Sequence, residues 1–346
     1  MSSAADNICS GMSPVTPGRS PDIEMKANDC ASPTSICPEI SNRVSFAVEG
    51  NIGVGKSTFL ELIKSDETLT RLVDLHEEPV AQWQAVGGNP KHNMLNAFYS
   101  DSTRHAYTFQ NYVFITRFLQ HHNAAMNPKA PCCLLERSVF TDCCVFAKTV
   151  LEEGLMTDLE GAVYHSWFNP VLQTLPHLVP DAFVYLRASP QSCYRRLCIR
   201  SRTEEAAVGL DYLGKIHDKH EAWFVHGSMP ATITPTGQAV SCGKLGEDLD
   251  GTSAVNVRVL DGKHSHAMLD GKTAIVVDCD AHLDNTWDWL ESSRADAPFE
   301  GKRDLLQGCR PLYKDAEPFG DELKDLFHQR LRARENPDHF VKQFNA

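Results

Sequence analysis

Residues 50–57 read GNIGVGKS, and this stretch carries the most specific structural information in the chain. It fits the pattern GxxxxGK[ST], in which the glycines permit a turn that exposes backbone N–H groups. The run RVSFAVE (43–49) before it is β-branched and aromatic, and FLELIK (59–64) after it has helical spacing. A strand, this turn and a helix in that order predict a phosphate-binding loop, because the helix N-terminus adds its dipole to the N–H groups.

Two side chains of the loop have predicted roles of their own. Lys56 is expected to hold the β- and γ-phosphates of a nucleoside triphosphate, and Ser57 to be a ligand of Mg²⁺. No NKxD element occurs in the chain, which weakens a GTPase interpretation. The residues of the loop that are expected to bind the triphosphate are Gly50, Asn51, Ile52, Gly53, Val54, Gly55, Lys56, Ser57 and Thr58.

Apolar runs alternate with helical patterns along the rest of the chain. Further strands are predicted at 72–80, 132–135, 181–186 and 274–279, and helices at 102–120, 138–152, 159–175 and 190–200. Strands that alternate with helices predict an α/β fold whose sheet is parallel and wound through right-handed crossovers. Together with the strand before the phosphate loop, the pattern predicts a five-stranded parallel sheet flanked by helices.

Composition divides the chain into a central domain and less regular segments. Residues 1–42 are rich in Ser, Pro, Asn and Asp and predict a disordered tail. The central domain is expected at 43–295, with an insertion at about 226–272 whose polar composition predicts a mobile or weakly structured segment. Residues 296–346 are interpreted as a helical extension, with one helix expected at 321–334.

Net charge argues against nucleic-acid and membrane partners, and cysteine usage indicates a reducing compartment. The net charge of −12 argues against a general nucleic-acid or anionic-membrane binder. No apolar run approaches the roughly 18 residues that span a bilayer, so a soluble protein is expected. The 12 cysteines include no CxxC pair, which favours reduced thiols, and the N-terminal tail lacks the features of a targeting signal. A cytoplasmic protein is expected.

Charged residues follow two of the predicted strands. Glu78 comes after the second strand, and Glu136 and Arg137 follow the third. Ligands of α/β folds bind outside the carboxyl ends of the strands. There, one carboxylate can accept the proton of an acceptor hydroxyl, a second can orient Mg²⁺, and an arginine can hold the transferred phosphoryl group. The alternative is that these charged residues form ordinary surface ion pairs. Because three of them lie at the ends of two adjacent strands, this alternative is the weaker interpretation.

A basic cluster lies at the end of the helix predicted at 190–200. Arg196 and Arg200 share one face of that helix, and Arg202 follows just beyond it. A basic helix end is usually a solvated face or a complement to the helix dipole. In a chain that also has a phosphate loop, the three arginines instead predict a lid that closes over phosphates.

Five motifs together resemble the deoxynucleoside kinase family, in particular deoxycytidine and deoxyguanosine kinases and their multisubstrate plant relatives. In chain order they are VEGNIGVGKSTF, EEPVAQWQ, YTFQNYVFITR, ERSVFTD, and YLRASPQSC with the arginines and acids after it. The resemblance runs from about 44 to 224 and resumes at 274–285. It implies a P-loop kinase fold with an Arg-rich lid. It also implies transfer of the γ-phosphoryl group of ATP, with Mg²⁺, to the 5′-hydroxyl of a deoxynucleoside in nucleotide salvage, and usually a homodimer.

The resemblance assigns roles at the site of transfer. Glu78 resembles the carboxylate that contacts the 5′-hydroxyl and can act as base. Glu136 matches an acid that either organises Mg²⁺ or accepts the proton, and Arg137 positions this cluster. The arginines of the lid are Arg196, Arg200 and Arg202, and the loop that contacts the donor base corresponds to Asp280, Ala281 and His282.

The resemblance also assigns the groups that bind the deoxynucleoside. Tyr99 and Glu205 match groups that bind the 3′-hydroxyl, and Gln110 matches an amide that bonds the edge of the base. The aromatic walls around the base correspond to Trp83, Phe109 and Phe146.

Base preference is expected to depend on Arg117 and Asp142. The resemblance implies that an Arg–Asp pair at these positions accompanies deoxycytidine and purine deoxynucleosides, whereas small or apolar residues accompany thymidine. A charged pair can bond an exocyclic amino group or purine N7, and leaving such groups unpaired costs about 1–3 kcal/mol. Deoxyadenosine, deoxyguanosine and deoxycytidine are therefore the expected acceptors, with thymidine poor.

Two alternatives remain at this point. A nucleoside monophosphate kinase of the same fold would need a basic grip on the substrate's own phosphate, whereas EPVAQW with ERS favours an uncharged nucleoside. A non-catalytic nucleotide-binding subunit, such as the related accessory subunit of respiratory complex I, would not need Lys56, Glu78, Glu136 and Arg137, all of which this chain keeps.

Overall fold

A computed structural model describes residues 43–233, 239–241 and 255–280. Its strands form one mixed sheet with the order β2-β3-β1-β4-β8-β7-β5-β6. The strands are β1 (Val44–Gly50), β2 (Val73–His76), β3 (Cys132–Glu136), β4 (Ala182–Arg187), β5 (Ser228–Ile233), β6 (Ala239–Ser241), β7 (Val255–Leu260) and β8 (Thr273–Asp278).

The five predicted strands form the parallel part of this sheet. β1 lies in the middle and pairs in parallel with β3 on one side and β4 on the other, so that Phe46 faces both Leu134 and Ala182. β2 adds to β3, and β8 adds to β4, also in parallel. All five residues of β3 are buried, as expected for strands covered by helices on both faces. The prediction of a five-stranded parallel sheet flanked by helices is confirmed for this core.

Helices cover the two faces. They are α1 (Lys56–Ser65), α2 (Glu67–Leu72), α3 (Val80–Gln84), α4 (Met94–Ser100), α5 (Ser102–Met126), α6 (Val139–Thr141), α7 (Lys148–Glu152), α8 (Asp158–Thr174), α9 (Pro190–Arg200) and α10 (Leu210–Glu221). Side chains of alternating residues enter opposite cores, as the period of a strand requires. In β4, Phe183 and Tyr185 join an aromatic core with Phe168 and Trp223, whereas Val184 joins the aliphatic core on the other face.

Two predicted elements differ from the observed ones. The strand expected at 72–80 ends at His76, because Pro79 and the helix α3 follow. The helix expected at 138–152 contains a π-helical segment, Asp142–Ala147, between α6 and α7. Such π-segments are rare and frequent at functional sites, and Asp142 lies at the start of this one.

The segment at 226–272 was predicted to be mobile or weakly structured, and this is wrong for its described residues. β7 pairs antiparallel with β8, β5 with β7, and β6 with β5, so the segment extends the sheet beyond the parallel core. The run VNVRVL alternates with period two, a pattern that the polar composition of the whole segment conceals. Buried Arg258 joins the strands by donating to Ser228 Oγ (2.6 Å) and to the Val225 carbonyl (3.0 Å).

The expected N-terminal tail (1–42), the end of the central domain, the helix at 321–334 and the extension at 296–346 lie outside the described residues. None of the helices in the described ranges combines the length and the apolar character needed to cross a membrane.

Candidate active site

The phosphate loop joins the end of β1 to the start of α1. Gly50 has φ +143° and Gly53 has φ +77°, and a Cβ at either position would lie 2.5 Å from a backbone carbonyl oxygen, of Leu186 or of Cys193. Only glycine fits such a backbone. The side chain of Asn51 anchors the loop, donating to the Leu213 carbonyl at 2.9 Å and accepting from the backbone N–H of Ile52 at 2.8 Å.

Lys56 is the first residue of α1, and its ammonium group lies inside the loop. Nζ donates to the carbonyl oxygen of Asn51 at 2.9 Å and to that of Gly50 at 3.3 Å. Burial, with a contribution from the charge of Arg137, lowers the pKa of Lys56 to about 7. Among the described residues no carboxylate is bonded to its ammonium group, which suits a group that meets phosphate.

The carboxylates at the ends of β2 and β3 meet beside the loop. Glu136 Oε1 accepts from Ser57 Oγ at 3.3 Å, and Glu136 Oε2 accepts from the backbone N–H of Glu78 at 3.3 Å. Glu78 Oε1 lies 2.8 Å from Arg117 Nη2 and 3.1 Å from Arg137 Nε. The structure thus brings together the two carboxylates, the loop serine and the two arginines that the sequence places far apart.

The two carboxylates have different electrostatic surroundings. Burial raises the pKa of Glu78, but the charges of Arg137, Arg117 and Lys56 outweigh it and lower that pKa to about 2. Burial and the negative charge of Glu78 raise the pKa of Glu136 above its ordinary value. Carboxyl groups whose pKa values are driven apart in this way are typical of paired roles in catalysis.

Arg137 has an unusual backbone conformation. Its φ is +64°, in the left-handed region that residues other than glycine seldom adopt. Its N–H donates to the Val48 carbonyl of β1 at 2.9 Å. The guanidinium lies 4.9 Å from the centre of the Phe146 ring and next to Glu78. The side chain is thereby directed at the carboxylate cluster.

Arg117 and Asp142 form a buried ion pair. Arg117 Nε donates to Asp142 Oδ2 at 2.8 Å, and its Nη1 donates to the Glu136 carbonyl at 3.0 Å. Burial raises the pKa of Asp142, which the charge of Arg117 opposes, and the resulting value is about 6. Arg117 lines the cavity described below, whereas Asp142 lies behind it and its Oδ1 is buried without a hydrogen-bond partner.

A cavity of about 460 Å³ lies over the carboxylate cluster. Besides the residues predicted to be catalytic, seven of the predicted substrate-binding residues line it: Trp83, Tyr99, Phe109, Gln110, Arg117, Phe146 and Glu205. Trp83 donates from Nε1 to Thr116 Oγ1 at 2.8 Å and meets Phe109 edge to face at 6.1 Å. Gln110 is buried with its Oε1 unpartnered, so an acceptor atom is available to a bound molecule.

Several lining residues were not predicted. They are Val80, Leu95, Phe98, Val113, Ile199 and Tyr212. Phe98 stacks on Phe109 at 4.7 Å and so belongs to the same aromatic wall. In the sequence these residues are ordinary apolar positions of helices, and their periodicity is that of any core residue.

The lid residues differ in their contacts. Arg196 donates to the Val54 carbonyl (2.6 Å) and to the Cys279 carbonyl (2.7 Å), so it ties α9 to the phosphate loop. Arg200 forms an ion pair with Glu205, and Arg202 Nη1 lies 3.2 Å from Glu205 Oε1. Burial and the charge of Glu205 raise the pKa of Tyr99. Arg200 and Arg202 therefore converge on the carboxylate of Glu205, whose charge also acts on Tyr99.

The predicted donor-base loop is only partly described. Asp280 Oδ2 accepts from the backbone N–H of Ser189 at 2.7 Å, at the start of α9. Asp280 does not line the cavity formed by the described residues. Ala281 and His282 lie outside the described residues.

Comparison with known proteins finds nucleoside kinases, which agrees with the phosphate loop and the carboxylate cluster described above. The deoxynucleoside kinase family profile matches residues 46–273. The chain is 31% identical over 225 residues to a probable deoxycytidine kinase of fowlpox virus, which covers 65% of this chain and 90% of the relative. It is 36% identical over 190 residues to human mitochondrial thymidine kinase 2, covering 55% of this chain and 68% of the relative. It is 34% identical over 193 residues to the mitochondrial deoxyguanosine kinase of Xenopus laevis, covering 51% and 72%.

The profile spans the phosphate loop, both carboxylate-bearing strand ends and the lid, and it extends through the added strands to the start of β8. The expected motifs and the observed site therefore belong to the same matched region. We conclude that the chain belongs to the deoxynucleoside kinase family and is a phosphotransferase.

Proposed function

We propose that this kinase transfers the γ-phosphoryl group of ATP to the 5′-hydroxyl of deoxyadenosine, deoxyguanosine and deoxycytidine in nucleotide salvage, and that thymidine is a poor acceptor. The observation that supports this base preference is the buried pair of Arg117 and Asp142, in which Arg117 lines the same cavity as Gln110 and Asp142 holds Arg117 from behind. The related chains include kinases of deoxycytidine, deoxyguanosine and thymidine, so the family alone does not select the base.

The charged pair supports the preference through the cost of unmet hydrogen bonds. The Arg117 guanidinium and the Asp142 carboxylate are both buried and bonded to each other, and a base with an exocyclic amino group or a purine N7 can add further hydrogen bonds to this pair. Thymine offers a methyl group at the corresponding edge. A site built to bond polar groups discriminates strongly against a ligand that leaves them unpaired.

The acceptor hydroxyl is proposed to bind between Glu78 and Glu136. Both carboxylates line the cavity and lie beside the phosphate loop, and either can accept the proton of the 5′-hydroxyl. Arg137 holds Glu78 at 3.1 Å and presents positive charge where the transferred phosphoryl group would pass. Tyr99 and Glu205 are proposed to hold the 3′-hydroxyl, while Trp83, Phe109 and Phe146 enclose the base.

The donor is proposed to lie on the phosphate loop, with Lys56 and the lid arginines around its phosphates. The residues present also fit Mg²⁺, because the Ser57 hydroxyl and a Glu136 carboxylate oxygen lie 3.3 Å apart at the loop. The described residues contain no group of three or more His, Cys, Asp and Glu side chains that could hold a metal ion. Mg²⁺ commonly takes one or two protein oxygens together with phosphates and water. When bound, it would neutralise charge on the phosphates.

The test is the initial rate of phosphorylation of deoxyadenosine, deoxyguanosine, deoxycytidine and thymidine with ATP and Mg²⁺. Glu136→Ala is the blank, because it removes a carboxylate at the site of transfer. We expect activity on the first three acceptors, low activity on thymidine, and loss of all of it in the variant. Thymidine as the best acceptor would refute the proposed base preference. Turnover of deoxynucleoside monophosphates alone would refute the acceptor class.

A homodimer is proposed from exposed apolar side chains on two adjacent helices. Ile115, Leu119 and Met126 of α5 are 48%, 47% and 41% exposed, and Leu159 and Val163 of α8 are 74% and 42% exposed. Exposed apolar patches of this kind mark interaction surfaces in soluble proteins. A cytoplasmic location is also proposed, since the cysteines of the described residues are free thiols. No nucleic-acid or membrane partner is proposed, given the net charge of −12.

A further inference from the structure

Glu49 is a fully buried carboxylate that the proposed chemistry does not use. It lies in β1 directly before the phosphate loop, and its side chain is 0% exposed. It is not among the residues that line the cavity. Removing a carboxylate from water is costly unless hydrogen bonds or opposite charges compensate for it. Burial does raise the pKa of Glu49, against the charge of Arg137 and the hydrogen bonds of Thr141 and Ser138.

Within the described part of the chain, the hydrogen bonds that the Glu49 side chain accepts all come from one segment. Oε1 accepts from the backbone N–H of Ser138 at 2.9 Å and from its hydroxyl at 2.7 Å. Oε2 accepts from the hydroxyl of Thr141. Ser138 is the N-cap residue of α6, and it directly follows Arg137 in the chain. Glu49 therefore holds the residues that come immediately after the catalytic pair.

The held segment contains the strained residue of the site. A left-handed conformation at a residue other than glycine costs on the order of 1–3 kcal/mol and persists only where neighbouring contacts enforce it. Here the N–H of Arg137 is fixed by Val48 at 2.9 Å, and the next N–H, of Ser138, is fixed by Glu49 at 2.9 Å. Two consecutive residues of β1 thus hold two consecutive N–H groups of the turn.

We propose that the carboxylate of Glu49 is a positioning group, which holds the turn at 136–138 in the geometry that phosphoryl transfer requires. β1 continues into the phosphate loop, so Glu49 links the loop that would carry the donor to the turn that would carry Glu136 and Arg137. A misplacement of about 1 Å between reacting groups can cost about a hundredfold in rate. The proposal rests on the proposed function. It adds a residue that would affect phosphoryl transfer without lining the cavity.

The experiment compares Glu49→Ala with Glu49→Gln in the full chain, using deoxycytidine, ATP and Mg²⁺. Alanine removes every acceptor, and we expect kcat to fall about a hundredfold while the KM of both substrates changes by less than about threefold. Glutamine keeps one carbonyl oxygen for Ser138, and we expect it to restore about tenfold of the lost kcat. With kcat expressed per mole of folded enzyme, such rescue and a loss confined to kcat distinguish positioning from a loss of substrate binding.

Glu221→Ala is the matched control. Glu221 is also a buried carboxylate, and it accepts from the Tyr185 hydroxyl at 2.8 Å and from Arg187 Nε at 2.9 Å. It does not line the cavity. We expect its thermal midpoint to fall as that of Glu49→Ala does, with a kcat close to that of the parent. A kcat that falls equally in both variants would overturn the proposal.

A second pair of variants decides the question if Glu49→Ala does not fold. Thr141→Val removes one hydroxyl donor at nearly constant volume, whereas Thr141→Ser keeps the donor. We expect a larger loss of kcat for valine than for serine, and little further loss when valine is combined with Glu49→Gln, because coupled residues are not additive. Equal kcat values for valine and serine would overturn the proposal. A parent that binds ATP but phosphorylates no deoxynucleoside would instead refute the proposed function.

Discussion

The pKa values of Glu78 and Glu136 shift in opposite directions because the two carboxylates have different neighbours. Glu78 faces two guanidinium groups, whereas Glu136 faces a hydroxyl and the negative charge of Glu78. The sequence motifs predicted that these residues would meet, because parallel strands end at the same edge of a sheet. The resemblance predicted the pair of Arg117 and Asp142, but the motifs did not predict that Arg117 also contacts Glu78, since that contact depends on the rotation of a helix 25 residues long.

The low pKa of Glu78 predicts a pH-dependent stability. The folded-state value of about 2 lies below the ordinary value of 4.5, so the ionised group stabilises the fold above about pH 4.5, and this contribution is lost as the pH falls toward 2. The difference in free energy of unfolding between the parent and Glu78→Gln should therefore be largest near pH 6 and shrink between pH 5 and pH 3. Urea denaturation at each pH measures it, and the exposed Glu67→Gln is the control. A difference that is constant with pH would contradict the prediction.

The pair of Arg117 and Asp142 predicts a switch of base preference. Removing one partner would leave a buried charge, which costs about 3–5 kcal/mol, so both are changed together in Arg117→Met with Asp142→Ala. We expect kcat/KM for thymidine, relative to deoxycytidine, to rise at least about tenfold. Arg104→Met, an exposed arginine on the same helix, should leave the ratio unchanged. An unchanged ratio in the double variant would show that the pair does not select the base.

At the scale of elements, local sequence pattern predicted the strands of the parallel core. It did not predict the antiparallel strands β5, β6 and β7. Each core strand is a short apolar run with a turn or a helix after it, which is a strong local pattern. β7 shows its alternation only over six residues, inside a segment dominated by polar residues. Its strand conformation depends on pairing with β8 and on the contacts of Arg258, which are not local in sequence.

Arg258 therefore predicts a local loss of stability. Its guanidinium donates to the Ser228 hydroxyl and carbonyl and to the Val225 carbonyl, all on the segment that leads into β5. In Arg258→Met we expect amide hydrogen exchange of β5 and β7 to accelerate about tenfold or more, with little change in β1 and β4, because local unfolding can occur independently of the core. Lys215→Met, an exposed residue of α10, is the control. Equal acceleration in β1 would mean that the added strands and the core unfold as one unit.

At the scale of the molecule, the sequence motifs were sufficient to predict the family and the edge of the sheet at which the candidate site lies. The cavity walls were predicted less completely, because residues such as Phe98 and Tyr212 differ from core residues only in what the tertiary fold places beside them. The proposed dimer belongs to this scale too. Its surface consists of apolar positions on the outer sides of α5 and α8.

The exposed apolar positions predict a dimer that one charge can disrupt. We expect the parent to sediment at twice the mass of one chain and Leu119→Lys to sediment as a monomer, because a lysine among these apolar side chains would be buried in the interface without a partner. Leu62→Lys places the same charge on an exposed leucine of α1 and should remain dimeric. A Leu119→Lys variant that remains dimeric would place the interface elsewhere.

The antiparallel strands beyond β8 also bear on the solubility of the enzyme. Without them, one edge of the six-residue strand β8 would be open, and every second residue would present unpaired backbone N–H and C=O groups at the side of a hydrophobic parallel sheet. Such an edge is a template for pairing with another chain and for aggregation. With them, the terminal strand among the described residues is β6, which is only three residues long. We therefore expect the segment whose composition indicates weak structure to hinder association of the core along this edge.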